Sequence, residues 1–223
     1  MRIGFVHTVP ALAAAFERDL QEQVPGAVAV HVVDADLLAH ARRTGVDEAV
    51  VDRLASHIRH LREDAVDAVL VTCSTLGDAT ERAGSGEGAP VVRVDAAMAE
   101  HAVALAQERA ADRPRVTVLA TVAATMGPTT GILHRAAAAR EIEIEIDVHV
   151  LGEALAARES GDQARHDALI AEAVVQAAVS ADVIVLAQAS MAEAAAAAAT
   201  DVPILTSPAS ALGRVIEVAR GQR

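Results

Sequence analysis

Short apolar runs rich in β-branched residues alternate with longer, alanine-rich amphipathic stretches along the whole chain. The strand-like runs are Arg2 to His7, Ala27 to Val33, Ala65 to Thr72, Pro90 to Val94, Arg115 to Ala120, Ile142 to Leu151, Asp182 to Ala187 and Val202 to Leu205. Helical patterns fill Ala11 to Gln23, Asp47 to Arg62, Ala96 to Ala111, Pro128 to Ala139, Gln163 to Ser180 and Ala209 to Ala219. Continuous apolar strands that alternate with helices predict an α/β fold, its parallel sheets covered on both faces.

The alternation is also duplicated. Asp67-Ala68-Val69-Leu70-Val71-Thr72-Cys73-Ser74-Thr75-Leu76 aligns without gaps on Asp182-Val183-Ile184-Val185-Leu186-Ala187-Gln188-Ala189-Ser190-Met191. Arg2-Ile3-Gly4-Phe5-Val6-His7-Thr8-Val9 aligns on Arg115-Val116-Thr117-Val118-Leu119-Ala120-Thr121-Val122. Two matches in the same order, at offsets of 115 and 113 positions, predict two related halves. The expected division gives residues 1–96 with 206–223 to the first half and 97–205 to the second. Halves of this kind direct the C-terminal ends of their strands toward a ligand.

Composition narrows the partners. The 223-residue chain carries a net charge of −12, so a nucleic acid would be repelled over most of the surface. A small anion could still be held by a local nest of N–H groups and hydroxyls. Phe5 and Phe16 are the only aromatic residues, which disfavours recognition of bases or flavins by stacking. The single cysteine excludes an internal disulfide and suits a reducing compartment. No stretch has the roughly 18 apolar residues of a membrane span, and no signal region precedes the first strand. A cytoplasmic location without membrane contact is therefore expected.

Cys73 ends an apolar strand and precedes Ser74-Thr75 and a helical stretch. At a helix N-terminus the free N–H groups and the dipole favour a thiolate, and the hydroxyls can cap the helix or hold a carboxylate. Free cysteine is also a common buried hydrophobe, so both readings stand at this point. His7 and Thr8 end the first strand and should lie on the same sheet edge, with His7 placed to tune or deprotonate the thiol. The counterpart of Cys73 is Gln188, whose carboxamide can orient a ligand but cannot exchange protons near neutral pH. Thr121, Thr125 and Ser190 offer hydroxyls on the corresponding edge, where capping is the ordinary alternative.

Other features point away from chemistry. His57 and His60 lie three apart on a helix beside Arg59 and Arg62, a solvated face with no complete ligand set for a metal. His101, His134, His149 and His166 have no recognisable partners. Gly84-Ser85-Gly86-Glu87-Gly88 lacks the lysine of a phosphate loop and reads as a surface connection. Ala192 to Thr200 reads as a packed helix. Glu141-Ile142-Glu143-Ile144-Glu145-Ile146 reads as a strand with one wet face, at a sheet edge.

Val71-Thr72-Cys73-Ser74-Thr75, the duplicate ending Val185-Leu186-Ala187-Gln188-Ala189-Ser190-Met191, and Leu119-Ala120-Thr121 together resemble the aspartate/glutamate/hydantoin racemase superfamily, which includes arylmalonate decarboxylase and maleate isomerase. The resemblance implies two flavodoxin-like halves with parallel sheets, related by a pseudo-two-fold axis around an active-site cleft. It also implies chemistry without cofactor or metal, a small carboxylate substrate and a homodimer. Racemases of the group use one cysteine from each half, one removing the proton beside a carboxylate and the other returning one from the opposite face. By resemblance Cys73 is the first-half cysteine and Ser74 and Thr75 are its carboxylate-binding neighbours. His7 and Thr8 match a polar pair that usually holds an acidic residue and a serine.

Gln188 departs from that pattern. Arylmalonate decarboxylase manages with one cysteine, which protonates the enediolate left by carbon dioxide, although that cysteine lies in the second half. The expected activity is thus that of a cofactor-independent lyase or isomerase acting beside a carboxylate. Cys73, as proton donor or nucleophile, and His7 would be catalytic, and Thr8, Ser74, Thr75, Thr121, Thr125, Gln188, Ala189 and Ser190 would line the substrate. Racemisation with another second base, or binding of a small acid without catalysis, are the alternatives.

Overall fold

The computed structural model describes residues 1–222, the side chain of Ala189 excepted. The chain divides into two compact units, Met1–Val94 with Pro208–Arg223, and Asp95–Ser207. Each unit is a four-stranded parallel sheet with helices on both faces.

In the first unit the strands are β1 (Arg2–His7), β2 (Val28–Val33), β3 (Ala68–Val71) and β4 (Val91–Arg93), in the spatial order β2-β1-β3-β4. The helices are α1 (Ala11–Gln23), α2 (Ala35–Thr44), α3 (Glu48–Glu63), α4 (Gly77–Gly84) and, from the far end of the chain, α10 (Ser207–Gly221). The second unit holds β5 (Arg115–Ala120), β6 (Glu145–Val150), β7 (Val183–Leu186) and β8 (Ile204–Thr206), in the order β6-β5-β7-β8. Its helices are α5 (Ala96–Arg109), α6 (Met126–Ala139), α7 (Gly152–Glu159), α8 (Gln163–Ala177) and α9 (Ala192–Ala196). All strand pairs are parallel.

Successive strand residues face opposite sides, so each sheet builds two cores. In the first unit Val6, Val69 and Val71 pack with Leu54, Ile58 and Leu61 of α3. Ile3, Phe5 and Leu70 pack on the other face with Phe16 and Leu20 of α1 and with Leu212 and Val215 of α10. The second unit repeats the scheme, with Val116, Val118, Val183 and Val185 against α5 and α6. On its opposite face Leu119, Ile184 and Leu186 meet Ile170 and Val174 of α8. Central strands covered on both sides must be apolar throughout, which is why β3 and β7 have no polar residue.

The duplication extends to individual hydrogen bonds. The Arg2 amide donates to the Asp67 carboxylate at 2.7 Å, and the Arg115 amide to the Asp182 carboxylate at 2.8 Å. The Thr72 amide donates to the Val6 carbonyl at 3.0 Å, as the Ala187 amide does to Leu119 at 2.9 Å. These are the residue pairs that the sequence alignment superposes.

Two stretches differ from their sequence patterns. The Glu-Ile alternation from Glu141 onward is strand only from Glu145. Glu141 takes a φ of 57°, its amide bonds the Ala138 carbonyl at 3.1 Å, and the Ile142 amide bonds Ala137 at 3.1 Å. This is a helix-ending turn that closes α6, and Ile142 packs against the adjacent core, so the first pairs of the alternation serve the cap. β6 is nevertheless an edge strand, as its pattern required. The alanine-rich stretch is helical only over Ala192–Ala196, because the chain must turn back to begin β8 and alanine propensity is too weak to oppose that. Helices α2 and α7 have no counterpart among the sequence patterns. Residues 85–88 form an exposed loop after α4, fastened by Arg62 donating to the Gly84 and Ala89 carbonyls. No helix among the described residues is long and apolar enough to cross a membrane.

Gly4 shows how closely helix and sheet approach. A Cβ there would meet the Leu61 side chain of α3 at 3.1 Å. Gly4→Val is expected to destabilise the chain by about 1–3 kcal/mol through overpacking, read as a lower urea midpoint with an unchanged slope.

Candidate functional site

In an open parallel sheet, ligands bind beyond the C-terminal ends of strands where the strand order reverses direction. That point lies between β1 and β3 in the first unit and between β5 and β7 in the second. The residues expected to form the site fall beside one or the other of these two places.

At the first, Val6 of β1 is in register with Val71 of β3, so the chain segments carrying His7-Thr8 and Thr72-Cys73 run side by side. Cys73 is extended (φ −118°, ψ 109°), and its carbonyl accepts the Leu76 amide at 3.0 Å. A three-residue 3-10 turn, Ser74–Leu76, separates it from α4, which starts at Gly77. Cys73 therefore caps the short turn and not the α-helix, whose dipole acts from one turn further on, and neither Ser74 nor Thr75 supplies a side-chain cap. Cys73 is 8% exposed and joins the aliphatic cluster of Val6, Leu37, Leu54 and Leu76. Ser74 and Thr75 are half-buried, and among the described residues neither hydroxyl has a hydrogen-bond partner, nor has that of the buried Thr8.

His7 is fully buried. Its Nδ1 lies 2.9 Å from Thr72 Oγ1 and its Nε2 lies 2.9 Å from His31 Nδ1, so both ring nitrogens are committed within the protein. The ring stacks at 5.7 Å on Phe5, on the face of the sheet opposite the cluster that contains Cys73. The sequence expectation of a His7 that directly attends the thiol is not what this arrangement provides. Burial, and secondarily the neighbouring His31, push His7 down to about 4 from the ordinary 6.5.

The second edge is built from side-chain amide chemistry. Gln188 follows β7 by the same two positions as Cys73 follows β3, and its carbonyl likewise accepts the amide three residues on, from Met191 at 3.2 Å. The Gln188 Oε1 accepts from the Thr121 amide at 2.8 Å and from the Thr121 hydroxyl at 3.2 Å. Its Nε2 donates to Thr125 Oγ1 at 2.5 Å, while the Thr125 hydroxyl donates to the Val122 carbonyl at 2.7 Å. Gln188 thus clasps the ends of β5 and β7 together and brings three expected residues into one network. Ser190 is exposed. The side chain of Ala189 lies outside what the structure describes.

Several residues have partners that the sequence did not reveal. His57 is not simply solvated: its Nε2 lies 2.7 Å from Asp34, which Arg53 also engages at 2.6 Å. Burial acts to raise the Asp34 carboxyl, but the hydrogen bond from His57 and the charge of Arg53 outweigh it and hold it below the ordinary range. His166 is buried and donates from Nδ1 to the Ala154 carbonyl at 2.8 Å. His31, Glu17 and Thr72 were missed altogether; the only available signal was a histidine inside the apolar run Val30-His31-Val32. Among the described residues no group of three or more His, Cys, Asp or Glu side chains is placed to hold a metal ion.

The model of the Asp/Glu/hydantoin racemase family matches residues 5–214. The chain belongs to this family. Among solved structures, glutamate racemase isoform RacE1 from Bacillus anthracis is 15% identical with a TM-score of 0.70, over 99% of this chain and 82% of that one. Allantoin racemase from Klebsiella pneumoniae is 20% identical with a TM-score of 0.66, over 99% and 89%. The Gly74Cys mutant of arylmalonate decarboxylase, in a sulfate-associated form, is 20% identical with a TM-score of 0.58, over 99% and 94%. At these identities the likeness is one of fold. No curated protein sequence matches.

Two measurements test this geometry. A histidine kept neutral in the fold takes up a proton when the chain unfolds. The contribution of His7 to stability is therefore present above 6.5 and lost as the pH falls toward 4. Urea denaturation should show the wild type losing on the order of 3 kcal/mol more than His7→Gln across that interval. Gln188→Leu, which strands the Thr121 amide, should cost about 1–3 kcal/mol by the same measurement.

Proposed function

We propose that this racemase-family chain is a cofactor-independent lyase or isomerase acting beside a carboxylate of a small mono- or dicarboxylic acid, with Cys73 as the proton donor. The observation that carries this reading is the asymmetry of the two strand-end positions. One holds a thiol, and the other holds a carboxamide already spent on Thr121 and Thr125. Two-sided proton exchange needs two titratable groups, whereas protonation of one face needs one.

In the decarboxylating form, the bond from the α-carbon to one carboxylate breaks and carbon dioxide departs. The electron pair stays on the substrate as an enediolate, and Cys73 S–H gives its proton to the α-carbon, leaving a thiolate. In the isomerising form the thiolate first removes the α-proton, and the thiol then delivers it on the same face to another carbon of the delocalised anion, since return to the α-carbon would only regenerate the substrate. The unpartnered hydroxyls of Ser74, Thr75 and Thr8, together with the N–H groups of the turn after Cys73, suit the developing negative charge on the carboxylate oxygens. Thr121 and Thr125 act with Gln188 to stiffen the second strand edge, and Ser190 supplies an exposed hydroxyl there. A reducing, cytoplasmic setting and a homodimer complete the reading. The packing of Cys73 among aliphatic side chains favours a second one, a small-acid binding protein without turnover.

Aspartate, glutamate, hydantoins and substituted malonates, incubated with the protein in deuterium oxide, separate the two. Carbon dioxide release or α-deuteration is expected from the wild type, falling about a hundredfold or more in Cys73→Ala. Undiminished turnover in that variant would overturn the role of Cys73, and binding without turnover across the panel would establish the second reading.

A further inference from the structure

A line of hydrogen bonds crosses the first unit from solvent to the centre of its sheet. Glu17 of α1, 47% exposed, lies 2.9 Å from His31 Nε2 of β2, which is 19% exposed. His31 Nδ1 lies 2.9 Å from Nε2 of the fully buried His7, whose Nδ1 lies 2.9 Å from Thr72 Oγ1. Thr72 Oγ1 is also 3.2 Å from the Val6 carbonyl. The only two phenylalanines of the chain enclose the line: Phe5 stacks on both imidazoles, at 5.7 Å and 5.1 Å, and Phe16 tilts against His7 at 5.8 Å. Four elements converge to make it.

Counting hydrogens gives this line two complete states. In the first, both histidines are neutral: Thr72 O–H donates to His7 Nδ1, His7 Nε2–H to His31 Nδ1, and His31 Nε2–H to the Glu17 carboxylate. In the second, one proton has been added and every inner bond has reversed. His31 is an imidazolium donating to Glu17 and to His7 Nε2, His7 Nδ1–H donates to Thr72, and the Thr72 hydroxyl donates to the Val6 carbonyl. Each state satisfies every participating nitrogen and hydroxyl. His7 is neutral in both and differs only in tautomer, while the charge rests on the outer ring beside its carboxylate.

We propose that Glu17, His31 and His7 form a proton relay, working by tautomer exchange, between solvent and the Thr72 hydroxyl at the strand edge that carries Cys73. In the outward direction, a proton arriving at Thr72 Oγ1 forms a new O–H bond as the hydroxyl's own hydrogen passes to His7 Nδ1. The His7 Nε2–H bond then breaks as the His31 Nδ1–H bond forms, and the imidazolium is held by Glu17. The inward direction reverses each step. The titratable groups facing His7 are His31 from β2 and, through it, Glu17 from α1. β3 adds only the Thr72 hydroxyl, and α10 turns Ala211, Leu212, Val215 and Ile216 to this side of the sheet. Burial, which penalises a charge on His7 itself, agrees with a ring that hands the charge on. The use of the relay to re-protonate the site rests on the proposed function, whereas the tautomer exchange does not. His7, His31 and Glu17 are positioning residues in this scheme.

The test is a pH titration of the full chain labelled with 15N-histidine, followed through the ring nitrogens of His7. The expected result is a His7 that stays neutral while His31 gains its proton, changing from the Nε2–H to the Nδ1–H tautomer as it does. Glu17→Gln, an exposed change, should move the exchange to lower pH, and His31→Gln should abolish it. A His7 that keeps one tautomer, or becomes an imidazolium when His31 does, would overturn the relay whatever the activity. If the wild type turns over, His31→Ala should lower kcat about tenfold or more, and added imidazole should restore it. Loss without restoration would overturn proton supply to the site. A wild type with no turnover but a normal tautomer exchange would retire the proposed function and leave the relay standing.

Discussion

The central strands β1, β3, β5 and β7 are covered by helices on both faces, and this double burial governs where polar chemistry can occur. An unpaired polar group in the middle of such a strand would cost several kcal/mol, on the order of its lost hydration. The chain therefore concentrates its polar side chains where strands end: His7 and Thr72 on one sheet, Thr121 and Gln188 on the other. The reversal of strand order opens the C-terminal edge between β1 and β3 and between β5 and β7, and the buried interior supplies the rigidity that holds these groups.

The two halves share a backbone plan but not their side chains. The backbone has stayed the same at both edges, down to the Asp67 and Asp182 carboxylates that hold the Arg2 and Arg115 amides. Side chains have not. His7 is matched by Ala120 and Cys73 by Gln188. His31 pairs in register with Phe5, and its positional counterpart in β6, Val148, pairs with Val118. The first unit thus holds a thiol and a line of two imidazoles, while the second holds a carboxamide clasp at the matching edge. A clasp of neutral hydrogen bonds orders a strand edge without responding to protons.

Much of the fold was legible because its signals are local. The runs Arg2–His7 and Arg115–Ala120 and the helix Ala11–Gln23 coincide with their sequence patterns, since burial on both faces leaves an unbroken apolar run and burial on one face leaves a helical stripe. Errors arose where one residue serves two purposes. Ile142 continues an alternating pattern and also packs as the residue that ends α6, and the helix cap takes precedence. Cys73 was legible as a strand-end residue, but the intervening turn Ser74–Leu76 was not, because a 3-10 turn and the first turn of an α-helix favour the same residues.

The sequence by itself determined the α/β alternation, the repeat, the lone thiol at one strand end and the amide at its counterpart, all of which are carried by neighbours along the chain. Only the tertiary structure decided which side chains meet. Glu17, His31, His7 and Thr72 are spread over 65 positions of sequence yet lie in one line of contacts, because β1 sits between β2 and β3 and α1 covers that edge. The same holds for Gln188, whose partners lie 67 and 63 residues away. Hydrogen-bond direction depends on positions fixed by strand register and packing, and no local pattern of residues encodes those.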